Sequence, residues 1–188
     1  MLRNLIEKNR SYRRFNSEIK IPVQQVVSWV DLARLSASGR NMQPLKYAIV
    51  TDAKLCDKVF QNLGWAGYLN NWKGPEEKER PVAYVMVSKD KLISENHYCD
   101  DGIAMQSILL AAVEDGFGGC IIGSVNKSKV TRLLKLPAHL ELLWVIALGK
   151  PAEKVVIETA VNDIKYWRDE KGIHHVPKRP LNEVLVFK

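Results

Sequence analysis

The sequence predicts one domain of mixed helices and strands, residues 1–188, on three observations. Its 188 residues fall within the ordinary size of a single domain. Hydrophobic residues make up 46% of the chain, enough for a packed core and too many for a disordered segment. Stretches with helical apolar spacing also alternate with short apolar runs of strand type along most of the length. No apolar run approaches the roughly 20 residues that span a bilayer, and the start, Met1-Leu2-Arg3-Asn4, lacks a secretory pattern. Cys56, Cys99 and Cys120 are odd in number and far apart, which gives neither a disulfide framework nor a Cys-x-x-Cys metal knuckle. A reducing cytoplasm is the simplest compartment for such a chain.

The elements follow in order. Leu2, Leu5 and Ile6 sit at helical spacing, so residues 2–9 read as a short helix. Pro22 suits the first turn of a second helix, which Val23, Val26, Val27 and Val30 carry to about Leu35. Leu45–Thr51 reads as a strand, and a helix covers about Ala53 to Leu63. Pro81–Ser88 has the apolar centre of a buried strand. Asp100 and Asp101 then open a long helix through Val113, with its acids at the positive end of the helix dipole. Four glycines between Gly116 and Gly123 surround a short apolar strand that contains Cys120. A helix from Lys127 to Leu136 and a strand from Leu140 to Leu148 complete the regular part. After Val156 the periodicity fades, and 158–180 read as an extended arm carrying His174 and His175, an exposed pair. Leu181–Phe187 ends the chain in an apolar, strand-like tail.

The charge map gives the first hint of function. The chain carries +7 in total, from 28 Lys and Arg against 21 Asp and Glu. Residues 1–20 hold a net +4 and residues 165–188 a net +3, so the body between them is neutral. Within the first end stands Arg10-Ser11-Tyr12-Arg13-Arg14-Phe15, with three guanidiniums in five residues. By itself such a cluster is either a solvated basic turn or an anion site, since guanidinium offers a planar fork of donors that matches phosphate oxygens. The second end holds Pro177-Lys178-Arg179-Pro180. Two basic ends around a neutral body fit termini that meet over a few phosphates better than a nucleic-acid face, which spreads charge along one surface with aromatics interleaved. A general surface for acidic partners stays open.

Three loops add to this. Ser36–Pro44 is a helix-ending loop that also presents Ser38, Arg40, Asn41 and Gln43 together, and the amides suit a heterocycle edge of alternating donors and acceptors. Gly64–Pro75 carries Trp65, Tyr68 and Trp72, which either cap the core or wall a flat ligand. The glycines at 116–123 follow a helix and precede a strand, the reverse of a dinucleotide-binding fingerprint, so their peptide groups suit a ligand ring instead.

The ordered set Arg-Ser-Tyr-Arg-Arg-Phe, Ser-x-Gly-Arg-Asn-Met-Gln-Pro, Asp-Gly-x-Ala-Met-Gln, Gly-Phe-Gly-Gly-Cys-Ile-Ile-Gly, Gly-Lys-Pro and Lys-Arg-Pro-Leu-x-Glu-Val resembles the nitroreductase superfamily of FMN-dependent, NAD(P)H-using oxidoreductases, in a compact form. The resemblance runs from Arg10 to about Val184. It implies an α+β fold around a mainly antiparallel central sheet flanked by helices, with an extended C-terminal arm (about 155–188) swapped onto the partner subunit. It implies a homodimer with FMN at the subunit interface. Arg10, Ser11 and Arg13 would hold the flavin phosphate together with Lys178 and Arg179, or Arg13 would reach the pyrimidine edge. Ser38, Asn41 and Gln43 would come from the other subunit, and backbone around Ile122 and Gly123 would lie against the ring. One departure is Asn9, where the family often carries a basic residue; Arg14 stands nearby. The resemblance implies hydride transfer from NADH or NADPH to an electron-poor acceptor (nitroaromatic, quinone, flavin or enone) by a ping-pong mechanism, with no catalytic side chain and no metal. Specialised flavin chemistry, such as reductive dehalogenation or flavin breakdown, is the first alternative. A basic nucleic-acid-binding module is the second.

Overall fold

The computed structural model describes residues 1–187. Its centre is a five-stranded sheet organised on one long strand, β5 (Leu140–Pro151). Strand β3 (Ala83–Asp90) lies antiparallel along one side of β5, with Tyr84 opposite Ala147 and Met86 opposite Val145. Strand β4 (Gly118–Ile122) pairs the same stretch from the other side, Cys120 again opposite Ala147. Strand β2 (Leu45–Val50) closes the β3 edge, and the two-residue β1 (Phe15–Asn16) pairs with Lys150 and Pro151 at the end of β5. Every pairing in this sheet is antiparallel.

Strands buried on both faces show a continuous apolar run rather than alternation, and β3 and β5 do so. Period two then divides their side chains. Val85, Val87, Ile146 and Leu148 face a layer made by α2 (Val23–Arg34) and α4 (Asp100–Glu114), against Val26, Trp29, Ala33, Ala104, Ile108 and Ala112. The small residues of α4 allow the two helices to approach closely. Tyr84, Met86, Val145 and Ala147 face the opposite layer, where α3 (Ala53–Phe60) and α5 (Lys127–Leu133) contribute Cys56, Val59 and Val130. Trp65 and Trp72 join that second layer, so the aromatic loop mainly closes the core.

The ends depart from the pattern-based reading. Helix α1 (Leu2–Lys8) is as expected. Residues 155–178, however, fold into a second sheet of three short strands, β6 (Val155–Thr159), β7 (Trp167–Arg168) and β8 (His174–Lys178), with β8 central and parallel to β6. Strands this short, partly exposed and joined by polar turns leave little periodicity to read. The segment Leu181–Phe187 is not strand-like. It opens with a single helical turn, α6 (Leu181–Val184), and leaves Leu181, Val184, Val186 and Phe187 exposed.

Candidate functional site

Helix α1 delivers the arginine cluster to the sheet. The Arg10 guanidinium donates to the Ile6 carbonyl (2.7 Å) and the Tyr12 hydroxyl to the Lys8 carbonyl (3.0 Å), which satisfies open carbonyls at the helix end. The chain then runs beside β4. Ser11 bridges Gly119, and the Tyr12 amide donates to the Gly119 carbonyl (3.0 Å). Gly119 has to be glycine, because a β-carbon there would stand 2.2 Å from the Ala147 carbonyl oxygen of β5. Phe15 then sinks fully into the core and anchors the segment.

A cleft of about 360 Å³ opens beside this segment, lined by Asn9, Arg10, Ser11 and Arg13 along one wall. Gln106 and Leu109 come from α4, Gly119 and Ile121 from β4, and Tyr166, His174, Val176 and Lys178 from the C-terminal region. The two basic ends of the chain therefore meet. Among the described residues three cations line the cleft, Arg10, Arg13 and Lys178, and no carboxylate does. Arg10 Nε is buried without an acceptor from the described residues. Beside the charges stand apolar Leu109, Ile121 and Val176. Such a lining suits a ligand with an anionic end and a flat apolar body.

Behind the wall lies Glu153, its side chain 2% exposed. It accepts from the backbone amides of Arg13 and Arg14 and from the Arg168 guanidinium (2.9 Å). Its charge is used inside the wall, so the Arg13 side chain stays available to the cleft. The Arg13 guanidinium lies over the Tyr166 ring (4.8 Å to the centroid), 3.2 Å from the Ser11 carbonyl and 3.3 Å from His174 Nε2. His174 is 1% exposed. Burial first, and the Arg13 charge second, push its pKa down to about 4, so the imidazole is neutral near pH 7. A guanidinium can only donate, so Nε2 accepts and the ring proton sits on Nδ1. His175, in contrast, stacks on Trp167 and bonds Glu158 and Asp169, and its pKa is raised chiefly by the Glu158 hydrogen bond.

The Ser36–Pro44 loop sits elsewhere in the subunit, at a second groove of about 410 Å³. Buried Asp100, at the start of α4, accepts from the Ser38 hydroxyl (2.6 Å) and the Gly39 amide (2.8 Å). The Gln43 amide donates to Ser38 Oγ (2.9 Å), and the Gln43 side chain donates to Asn41 Oδ1 (3.1 Å). Arg40, Asn41 and Gln43 all have φ above +50°, a conformation that costs non-glycine residues roughly 1–2 kcal/mol each. Strain at three positions in four residues is held by this hydrogen-bond set. The groove is lined by Val27, Val30, Leu45 and Tyr47 beside Ser38 and Gln43.

Of the residues singled out from the sequence, Arg10, Ser11, Arg13 and Lys178 come together in one cleft. Ser38 and Gln43 line the second groove, with Asn41 bonded to Gln43. Ile122 points into the core, Gly123 packs against Trp144, and it is Gly119 and Ile121 of the same strand that face the cleft. Arg179 pairs with Glu183 at the surface (3.2 Å). Arg14 pairs with Glu79 (3.2 Å) and does not replace a base at position 9, where Asn9 donates to Gln106 (3.3 Å). Sequence reasoning missed Glu153 and Tyr166; Tyr68 of the aromatic loop packs against Tyr166 with ring centroids 4.9 Å apart. Sequence reasoning also took His174 as exposed, where the structure buries it. No local pattern marks these residues, because only the folding of the C-terminal region against the Arg10–Phe15 segment brings them together.

Comparison with known proteins agrees with this architecture. The model of the Nitroreductase family matches residues 80–150. An iodotyrosine deiodinase of Thermotoga neapolitana is 27% identical over 207 residues, covering 99% of this chain and 96% of its own length. Among solved structures, a putative NADH dehydrogenase/NAD(P)H nitroreductase from Parabacteroides distasonis superposes with a TM-score of 0.66 at 27% identity, over 85% of this chain and 90% of that one. An FMN-dependent nitroreductase from Clostridium difficile shares the fold with a TM-score of 0.67 at 20% identity, over 87% and 92%. The chain thus has the nitroreductase fold and is similar to that family of oxidoreductases. Among the described residues no helix is long and apolar enough to cross a membrane.

Proposed function

We propose that the protein is an FMN-dependent oxidoreductase that takes hydride from NADH or NADPH and delivers it to an electron-poor small molecule such as a nitroaromatic, quinone, flavin or enone, in two alternating half-reactions. The observation that carries this reading is the convergence of Arg10, Ser11, Arg13 and Lys178 on one cleft with apolar walls and, among the described residues, no lining carboxylate. The donor set fits FMN, with cations for a phosphate and a flat apolar region for a ring. FMN, when bound, supplies the hydride-accepting and hydride-donating ring. Arg10, Ser11 and Lys178 would hold the phosphate, Arg179 would join them only by releasing Glu183, and Arg13 would offset negative charge at the pyrimidine edge of the reduced ring. The backbone of β4 at Gly119 and Ile121, running on to Ile122 and Gly123, would form the surface beside the ring.

The protein would act as a homodimer, with Ser38, Asn41 and Gln43 supplied by the partner subunit and the C-terminal segment crossing to it. Two features support that arrangement. The strained loop faces a groove with an apolar side, and the segment 181–187 exposes Leu181, Val184, Val186 and Phe187. Isolated apolar ends of this kind are a liability unless they dock. Tyr68 and Tyr166, rather than the largely packed Trp65 and Trp72, are the aromatic residues placed to shape acceptor choice.

Titration of the apoprotein with FMN, followed by quenching of flavin fluorescence, tests the reading. Uptake is expected, and R10A should weaken it about tenfold or more, since a hydrogen bond to a charged group is worth about 1.5–3 kcal/mol. Absence of uptake would contradict it. The likeness to an iodotyrosine deiodinase over nearly its whole length favours reductive dehalogenation as a second reading. Halide release from a halogenated tyrosine under reducing conditions would support that branch.

A further inference from the structure

We propose that His174 is a positioning residue for Arg13: its unprotonated Nε2 accepts from the guanidinium and holds that cation at the flavin site. This rests on the flavin reading of the cleft. The geometry comes from three sides. Tyr166 lies under the guanidinium, the Ser11 carbonyl accepts from it, and His174 Nε2 stands 3.3 Å from Arg13 Nη1. The Arg13 backbone amide is fixed separately, by Glu153. Tyr166 and His174 also pack against each other, tilted, with ring centroids 5.2 Å apart, so the C-terminal region presents one aromatic cradle to one cation.

The imidazole suits the task because of where it lies. A protonated ring would have no acceptor to offer and would repel Arg13. The charged and titratable groups that face His174 are Arg13, Arg168 and Glu153, with His175 beside it in sequence. Two of these are cations that oppose protonation, as does burial. The Nδ1 atom is buried with no partner among the described residues, so the contact with Arg13 at Nε2 is the ring's one side-chain hydrogen bond there. An arginine left free would spread over several rotamers and fix no charge at one ring edge. Held in this cradle, it is preorganised, and that is the arrangement that lowers the cost of stabilising developing charge.

The test uses the full-length protein and two variants, H174F and H174Q. Phenylalanine keeps a ring against Tyr166 but offers no acceptor, whereas glutamine offers an amide oxygen near the place of Nε2. The flavin dissociation constant and midpoint potential are measured for all three, with thermal unfolding to show that each is folded. H174F should bind FMN about tenfold more weakly, the worth of one charge-assisted hydrogen bond. Its bound flavin should have a lower midpoint potential, because the reduced form loses its neighbouring cation. H174Q should recover most of both. In the flavin-free wild type near pH 7, nitrogen-15 shifts should show His174 protonated on Nδ1 with Nε2 as acceptor, and R13A should move the Nε2 signal. If His174 carries its proton on Nε2, or if folded H174F keeps wild-type affinity and potential, the assignment is overturned while the flavin reading stands. Wild-type protein that takes up no flavin would overturn both, and the nitrogen shifts would still decide whether the contact exists.

Discussion

At Glu153 one carboxylate serves three donors, the amides of Arg13 and Arg14 and the guanidinium of Arg168, in a place that water scarcely reaches. Removing one member of a buried ion pair leaves the other charged and uncompensated, at a cost of about 3–5 kcal/mol. E153A should therefore lose about 3 kcal/mol in a denaturant titration and displace the Arg10–Phe15 segment as well; a loss below about 1 kcal/mol would mean that Glu153 does not hold the wall. His174 adds a pH dependence of definite sign. Its folded pKa of about 4 lies below the ordinary 6.5. The unfolded chain binds the proton more readily in that window, so this contribution is complete above about pH 6.5 and is lost as pH falls toward 4. Each unit of difference is worth about 1.4 kcal/mol. Wild-type stability should fall between pH 6.5 and 4 more steeply than that of H174Q, and parallel curves would contradict the buried neutral ring. Neither residue was legible in the sequence. Glu153 is one acid among 21 Asp and Glu. His174 stands in a polar stretch whose burial depends on strands too short to show a period.

At the scale of elements, the outcome divides by how much each one buries. Strands β3 and β5 and helix α4 were legible because they are long and their apolar residues fill both faces or one stripe. Helix α5 ends at Leu133 rather than near Pro137, since Lys135 turns to a φ of 51° and the Leu136 amide closes back on Thr131. The glycine-rich turn into β4 was read as suited to a ligand ring; within the fold, Gly119 is required by its close approach to β5. This gives a prediction for the element. G119A places a methyl where the Ala147 carbonyl stands, and overpacking of this kind costs about 1–3 kcal/mol or more. Its β4 edge should separate from Ser11, seen as faster amide exchange at Tyr12 together with weaker FMN uptake. Unchanged exchange would show that the bridge does not depend on glycine. Strands β6 to β8 were missed because they are only two to five residues long and partly exposed, which leaves little periodicity in their own composition.

For the whole molecule, the charge map was the most informative reading. A neutral body with a basic excess at both ends becomes, after folding, one cleft with three cations and no lining carboxylate among the described residues. Sequence alone brought out Arg10, Ser11, Arg13 and Lys178, since these carry the chemistry. It did not bring out what aims them: Glu153 behind, Tyr166 beneath and His174 beside Arg13. The central claim is that this arrangement serves flavin-mediated electron transfer, and the visible spectrum of the purified, FMN-loaded protein tests it most directly. Under anaerobic conditions the flavin bands should bleach on addition of NADH or NADPH and return when a nitroaromatic or quinone is added. Flavin bands that neither nucleotide bleaches would contradict the proposed donor half-reaction, and a protein that retains no flavin would contradict the assignment of the cleft.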